Sequence, residues 1–232
     1  MFGSLLAAFL VTGVFAGLAY GLGTVSRSGA LSGFAVGVVI YVCLGPQGFV
    51  VLALFVVGAS LLTRLGYSSK QGRGTAQAYG GRRGARNALG NCGVALLCAL
   101  LAVLLSSEAF TAAFVASLGA AFADTAESEV GQLYSRMPRL IISFRKVPPG
   151  TDGAVSLPGT LAGVAAAGLT ALLGLVLGLV VGLGSTIVVA LTAFLGTLAD
   201  SLIGALAPRL GNELTNTFCT LVAATLALLL TS

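Results

Sequence analysis

The chain has 232 residues, 57% of them hydrophobic and only 8% charged, with a mean hydropathy of +1.04. A soluble domain carries roughly 25% charge, so this chain could not cover its surface in water. The composition excludes a soluble domain, a disordered chain and a disulfide-rich secreted module. Long unbroken apolar runs in place of short alternating segments exclude a transmembrane β-barrel. What remains is an all-α, polytopic membrane helical bundle. The absence of His excludes a histidine base, a histidine-bound metal and a Ser-His-Asp triad.

A helix needs about 20 apolar residues to cross a bilayer. In chain order, spans are expected at 4–22, 29–45, 48–65, 88–105, 109–130, 158–182, 185–207 and 214–231. The first segment lacks the basic region of a signal peptide and reads as a span. The boundary between the sixth and seventh, at Gly182-Leu183-Gly184-Ser185, is soft, so six or seven spans are the alternatives to eight. Residues 1–232 then form one integral membrane domain, with long connections at 66–87 and 131–157.

The charges test this count. With eight spans, Arg27 lies in the first connection, and Arg64, Lys70, Arg73, Arg82, Arg83 and Arg86 lie in or beside the third. Arg136, Arg139, Arg145 and Lys146 lie in the fifth and Arg209 in the seventh. All 12 basic residues thus fall on one side, and the other carries only Glu108. A wrong count would scatter them. By the positive-inside rule the basic side is cytoplasmic or stromal, and both termini face the opposite side. The net charge of +5 therefore reports topology and calls for no nucleic-acid partner. Cys43, Cys92, Cys98 and Cys219 sit inside apolar runs at spacings that fit no zinc pattern, and read as small core residues.

The third connection, SSKQGRGTAQAYGGRRGAR, is flexible on composition. It reads either as a topology determinant or as an anion-binding flap, because Arg82, Arg83 and Arg86 cluster beside a helix start at Asn87. In the fifth span Asp124, Glu127 and Glu129 interrupt an apolar helix, where ionisable groups are costly and point to function. Asp124 and Glu127 share a face by their i, i+3 spacing, and Ser128 joins them at i+4. Two carboxylates and a hydroxyl form a hard-oxygen cluster of the kind that holds Mg²⁺ together with waters and substrate phosphates. Glu129 points elsewhere and is expected to pair with an Arg. The seventh span echoes the fifth: LGTLADSLIG matches LGAAFADTAESEVG, which puts Asp200 at a depth similar to that of Asp124.

The connection after the acidic helix is rich in turn formers and hydroxyls. Gly150, Gly153 and Gly159 allow backbone amides close to an anion, Arg145 and Lys146 supply charge, and Pro158 starts the sixth span with its free N–H groups. The pattern is that of a phosphate cradle, although a Walker A motif is absent. Asn91 and Asn216 are further polar residues near the same interface, for which helix packing is the alternative role.

The segments ADTAESEVGQL and PRLIISFRKVPPGTDGAVSLPGTLAG resemble the hallmark of the transmembrane protein 19 family, which includes the phytyl-phosphate kinases of plants and cyanobacteria. SRSGALSGFAVG, SLLTRLG, GGRRGARNALGNCGVA, ADSLIGA and NELTNTF are similar to the same family, so the resemblance covers most of the chain. It implies a kinase, using Mg²⁺ and a nucleoside triphosphate such as CTP, that converts an isoprenoid monophosphate to the diphosphate in tocopherol biosynthesis. Carried over by motif, Asp124 and Lys146 are the catalytic residues, and Asp124, Glu127 and Ser128 hold the metal. Arg82, Arg86, Asn91, Arg145, Gly150, Thr151, Gly153, Ser156, Gly159, Thr160, Asp200 and Asn216 bind the substrate and nucleotide phosphates. Related kinases have Glu where this chain has Pro158. The alternatives are a cytidylyltransferase-like CDP-lipid synthase, which would use the same helix and loop, and a transporter, which would place its carboxylates near the bilayer midplane. The partners implied are the nucleotide, the lipid phosphate and the bilayer, with a homodimer allowed. The location implied is a bacterial inner, thylakoid or plastid membrane.

Overall fold

A computed structural model of the chain describes residues 2–231; Met1 and Ser232 lie outside the described residues. The helices are α1 (Phe2–Gly21), α2 (Arg27–Arg64), α3 (Tyr67–Gly72), α4 (Ala85–Leu104), α5 (Glu108–Tyr134), α6 (Leu157–Val176), α7 (Gly182–Leu206) and α8 (Asn212–Thr231). A two-stranded ribbon, β1 (Arg139–Leu140) and β2 (Ala154–Val155), lies between α5 and α6. Six of the helices are long and apolar enough to cross a membrane.

One of the six, α2, contains two spans. Gly45 has φ 67° and ψ −168°, outside helical geometry, and Pro46 follows it. Proline has the fixed φ of a first helical residue and disfavours helix in the residue before it, so the pair makes a sharp reversal. The arms 27–44 and 46–64 fold back on each other. A Cβ built on Gly37 would sit 3.3 Å from Phe49 Cε2, and the Tyr41 and Phe49 rings are 6.1 Å apart. In a straight helix residues 37 and 49 would be about 18 Å apart. With the two arms and the 20-residue α1, eight apolar segments result, as the sequence predicts.

The break between the sixth and seventh spans differs from the expected position at 182–185. Helix α6 ends at Val176, where Gly178 is left-handed at φ 72°. The Gly178 N–H donates to Leu175 O and the Leu179 N–H to Gly174 O. This is a Schellman cap, which closes the helix on its own carbonyls.

Helix α5 is the axis of the bundle. Its middle, from Ala112 to Ala123, is buried on every side. Ala, Gly and Ser dominate it, and small residues let α4, α6, α7, α8 and α2 all approach closely. The other long helices keep large apolar side chains exposed, such as Leu31, Leu104, Leu161, Leu191 and Leu229, and these faces meet lipid. Cys92, Cys98 and Cys219 are buried and Cys43 partly so, and all four thiols are free.

The connections 22–26, 65–84, 135–156 and 207–211 gather at one end of the bundle. The Ser26 N–H donates to Arg83 O and the Arg83 N–H to Thr24 O. Arg64 donates to Leu22 O. A Cβ on Gly150 would touch Thr75, and one on Gly153 would touch Ala205. The basic connections therefore share a face, as the charge segregation requires.

The third connection is not flexible. Lys70 on α3 is wholly buried and donates to Leu62 O, Thr63 O and Glu129 Oε2. Arg73 donates to the carbonyls of Gln132 and Leu133 at the end of α5, and Tyr67 Oη donates to Gln77 O. Composition sets flexibility only where no side chain is tied down; here a buried ion pair and two cappings tie it down. Glu129 pairs with this lysine, 59 residues away, and not with an arginine.

Candidate functional site

At the basic end lies a polar cavity of about 530 Å³. Helix α5 presents Asp124, Thr125, Glu127 and Ser128 to it, α7 presents Asp200 and Ser201, and α8 presents Asn212, Thr215 and Asn216. The connections add Arg73, Thr75, Arg83, Gly150, Thr151, Asp152, Gly153 and Ser156, and α4 adds Asn87. The similarity between spans five and seven has a spatial meaning, since Asp124 and Asp200 face the same space.

The carboxylates are held without a cationic contact. Among the described residues the one ion pair is Lys70–Glu129, at 2.5 Å. Glu127 is buried; its Oε1 accepts from Thr160 Oγ1 at 3.3 Å, and its Oε2 has no partner. Asp200 Oδ1 is also buried without a partner. Asp124 lies within electrostatic range of both. The positive charge that acts on Asp124 is Arg83, half-buried over the Phe55 ring at 6.0 Å, with its guanidinium donating to Thr63 Oγ1 at 3.2 Å and Asn87 Oδ1 at 3.4 Å. Burial pushes the Arg83 pKa below its ordinary value while Glu129 and Asp124 pull it back up; a guanidinium stays charged at neutral pH.

Leaving buried carboxylate oxygens unpaired is costly. No three His, Cys, Asp or Glu side chains among the described residues form a metal cluster by themselves. Mg²⁺ does not need one, because it is held by one or two carboxylates and completed by waters and substrate phosphates. The orphaned oxygens of Glu127 and Asp200, with Asp124 between them in charge and hydroxyls beside them, are a donor set that fits Mg²⁺.

The loop is built to close this cavity. β1 pairs antiparallel with β2, with Arg139 opposite Val155 and Leu140 opposite Ala154. Gly153 is left-handed at φ 73°, and a Cβ there would lie 2.5 Å from both Ser201 O and Ala205 Cβ. Its first service is thus to seat the loop on α7. Ser156 is the N-cap of α6, accepting from the Gly159 N–H at 3.3 Å. Gly159 permits α6 to touch α5, for a Cβ there would lie 2.5 Å from Glu127 O. That contact brings Thr160 to Glu127.

The structure brings Asp124, Glu127, Ser128, Gly150, Thr151, Gly153, Ser156, Asp200 and Asn216 to the cavity, with Gly159 and Thr160 directly behind Glu127. It does not bring the rest. Lys146 and Arg145 are exposed on the far part of the loop, where Lys146 bridges Arg139 and Leu140 binds Arg145 O. Lys146, expected as a catalytic residue, is not among the residues that line the cavity. Arg82 is exposed beside Gly23 and Arg86 is exposed on α4. Asn91 is buried one turn deeper and spends its amide on Asn87 O at 2.9 Å. The cations that line the cavity are Arg73 and Arg83, together with the further acid Asp152. Arg83 had a legible signal, since Asn87 lies four residues on and shares its face; Arg73 and Asp152 had none.

An eight-segment helical bundle with a carboxylate-lined cavity at its basic end is an integral membrane protein with a polar site at that end. The match to the family Integral membrane protein DUF92 extends over residues 10–219, and the chain belongs to that family. It is 40% identical to an uncharacterized membrane protein of Synechocystis over 204 residues, covering 84% of this chain and 78% of that one. It is 35% identical to an uncharacterized membrane protein of Methanocaldococcus jannaschii over 198 residues, covering 83% and 79%. It is 32% identical to Protein VTE6, chloroplastic, of Arabidopsis thaliana over 185 residues, covering 78% of this chain and 55% of that protein. No solved structure matches the chain.

Proposed function

We propose that the chain is a Mg²⁺-dependent membrane kinase that phosphorylates an isoprenoid monophosphate, phytyl phosphate or a relative, with CTP as donor. The observation that carries the reading is the cavity itself: Asp124, Glu127 and Asp200 without cationic partners, beside Arg73 and Arg83, at one end of an apolar bundle. The similarity to chloroplastic VTE6 and the resemblance to the phytyl-phosphate kinases support it.

An acceptor monophosphate is largely dianionic at neutral pH, so its oxygen attacks the γ-phosphorus without a strong base. The β–γ bond breaks, the nucleoside diphosphate leaves with the bond's electron pair, and the lipid becomes a diphosphate. Such a transfer needs positioning and charge neutralisation more than covalent chemistry. One or two of Asp124, Glu127 and Asp200, with waters and phosphate oxygens completing the shell, would hold Mg²⁺, which when bound would neutralise the triphosphate charge. Arg73 and Arg83 orient the phosphates, and the loop at Gly150 and Thr151 covers them. By the positive-inside rule this face is cytoplasmic or stromal.

The test uses purified protein in nanodiscs with phytyl phosphate and CTP labelled at the γ-phosphate. Label in a lipid diphosphate, with release of CDP and dependence on Mg²⁺, is the expected result. Label released as pyrophosphate, with cytidine retained on the lipid, would replace the kinase with a CDP-lipid synthase. Replacing CTP by other triphosphates fixes the donor.

A further inference from the structure

Within the connection between α5 and α6, residues 139–146 form a hairpin, and none of them lines the polar cavity. Ile141, Ile142, Ser143 and Phe144 are its tip, closed by the Leu140 N–H donating to Arg145 O and the Phe144 N–H donating to Leu140 O. Met137, Ile142 and Phe144 are exposed, Phe144 by 67%. Phe144 is also left-handed at φ 54°, an outlier for a bulky residue of the kind that gathers at functional sites. Arg139 holds it there by donating to Phe144 O at 2.9 Å. The flanks of the tip are basic: Arg136, Arg139, Arg145 and Lys146 are all exposed, and Arg139 lies opposite Lys146 across the hairpin. Like charges in opposed positions repel. Residues 130–151 contain no acid to offset them, and among the described residues none of the four forms an ion pair.

We infer that this hairpin is an anchor on the bilayer surface around the bundle, with Ile142 and Phe144 entering the headgroup layer and Arg136, Arg145 and Lys146 meeting anionic lipid phosphates. Two observations choose the occupant. Exposed apolar side chains ringed by unpaired cations are the composition that seats on an anionic membrane surface; a free phosphate would use the cations and leave the tip in water. The hairpin is also continuous with the lipid-facing flank of the bundle. The Ile141 N–H donates to Gly153 O, and β2 leads within two residues into α6, whose first residue, Leu157, is 74% exposed and whose Leu161 and Val164 are exposed after it. On α7, against which Gly153 packs, Leu202 and Leu206 are exposed as well. The positive-inside rule puts this end at the cytoplasmic or stromal leaflet. Such an anchor needs no kinase activity, and it gives Lys146 a task away from the cavity.

The chain has no Trp, so Phe144→Trp or Ile142→Trp places a single reporter on the tip, and Leu161→Trp places one against lipid as the reference. Each full-length variant is put into nanodiscs of phosphatidylcholine or of phosphatidylglycerol. Brominated lipid quenches from inside the bilayer and acrylamide quenches from water. In phosphatidylglycerol the tip reporters are expected to emit at shorter wavelength than in phosphatidylcholine, to be quenched by brominated lipid as Leu161→Trp is, and to lose most of their acrylamide quenching. High salt should reverse part of that shift, because it screens exposed charge. Adding Arg145→Glu and Lys146→Glu to the Phe144→Trp chain should abolish the difference between the two lipids. Acrylamide quenching with no effect of brominated lipid in either disc would leave the tip in water and overturn the anchor. Protection from both quenchers would mean that protein, such as a second copy of the chain, covers the tip, and equal behaviour in the two lipids would remove the anionic surface as its partner; either result overturns it as well.

Discussion

Asp124, Glu127 and Asp200 carry the account at the residue scale. Three acids from two helices face one space, and two buried oxygens among them lack partners. Removing one charge from such a site while keeping its shape, as in Asp200→Asn or Glu127→Gln, should lower turnover by about 100-fold or more, in the range of lost electrostatic stabilisation. Apparent Mg²⁺ affinity should fall with it; steady-state assays across Mg²⁺ concentrations check both. Arg83 is tied to the cavity and Lys146 is not, so Arg83→Ala should cost at least about tenfold more activity than Lys146→Ala. The reverse order in a side-by-side assay would return Lys146 to the centre of the site. The acids were legible because a carboxylate inside an apolar run is conspicuous. Arg73 was not, and Arg83 only in part: its spacing to Asn87 marks a shared face, but the backbone clip to residues 24–26 is what sets Arg83, and not its neighbour Arg82, on the cavity.

At the scale of elements, the site depends on how two connections are pinned. Lys70 and Glu129 form a fully buried pair. Removing one partner leaves an uncompensated buried charge, so Lys70→Met or Glu129→Leu alone should destabilise by about 3–5 kcal/mol. The double variant should recover most of that loss. Unfolding in detergent and proteolysis of the segment 65–84 measure it; a double variant as damaged as the singles would mean that the pair does more than compensate itself. Gly153→Ala needs a left-handed residue, costing about 1–2 kcal/mol, and also strikes α7. It should loosen the ribbon and reduce activity while the bundle stays folded, visible as faster hydrogen exchange confined to 138–156. The helices themselves were readable from apolar run length, and the reversal within α2 as the boundary between the spans 29–45 and 48–65. The order within the third connection was not, because Lys70 finds Glu129 59 residues away, and composition has no record of such a partner.

The whole molecule sorts its few charges by side. Every basic connection meets at one end, while the segments 105–107 and 177–181 lie at the other. In a variant lacking the four native cysteines, Arg209→Cys and Ala76→Cys should react with an impermeant thiol reagent from the cytoplasmic side only, and Ser107→Cys from the opposite side only. Labelling of Arg209→Cys and Ser107→Cys from the same side would break the eight-segment topology. That topology puts the carboxylates at the basic end of the bundle, where the proposed kinase would bring a lipid phosphate to a water-borne nucleotide.

The most direct test compares wild type with Asp124→Asn and Asp200→Asn in nanodiscs, following transfer of γ-phosphate from labelled CTP to phytyl phosphate as Mg²⁺ is titrated. Mg²⁺-dependent lipid diphosphate is expected in wild type and its near-complete loss in both variants, with each variant as thermally stable as wild type. Full transfer by either folded variant, or transfer that persists without a divalent ion, would contradict it.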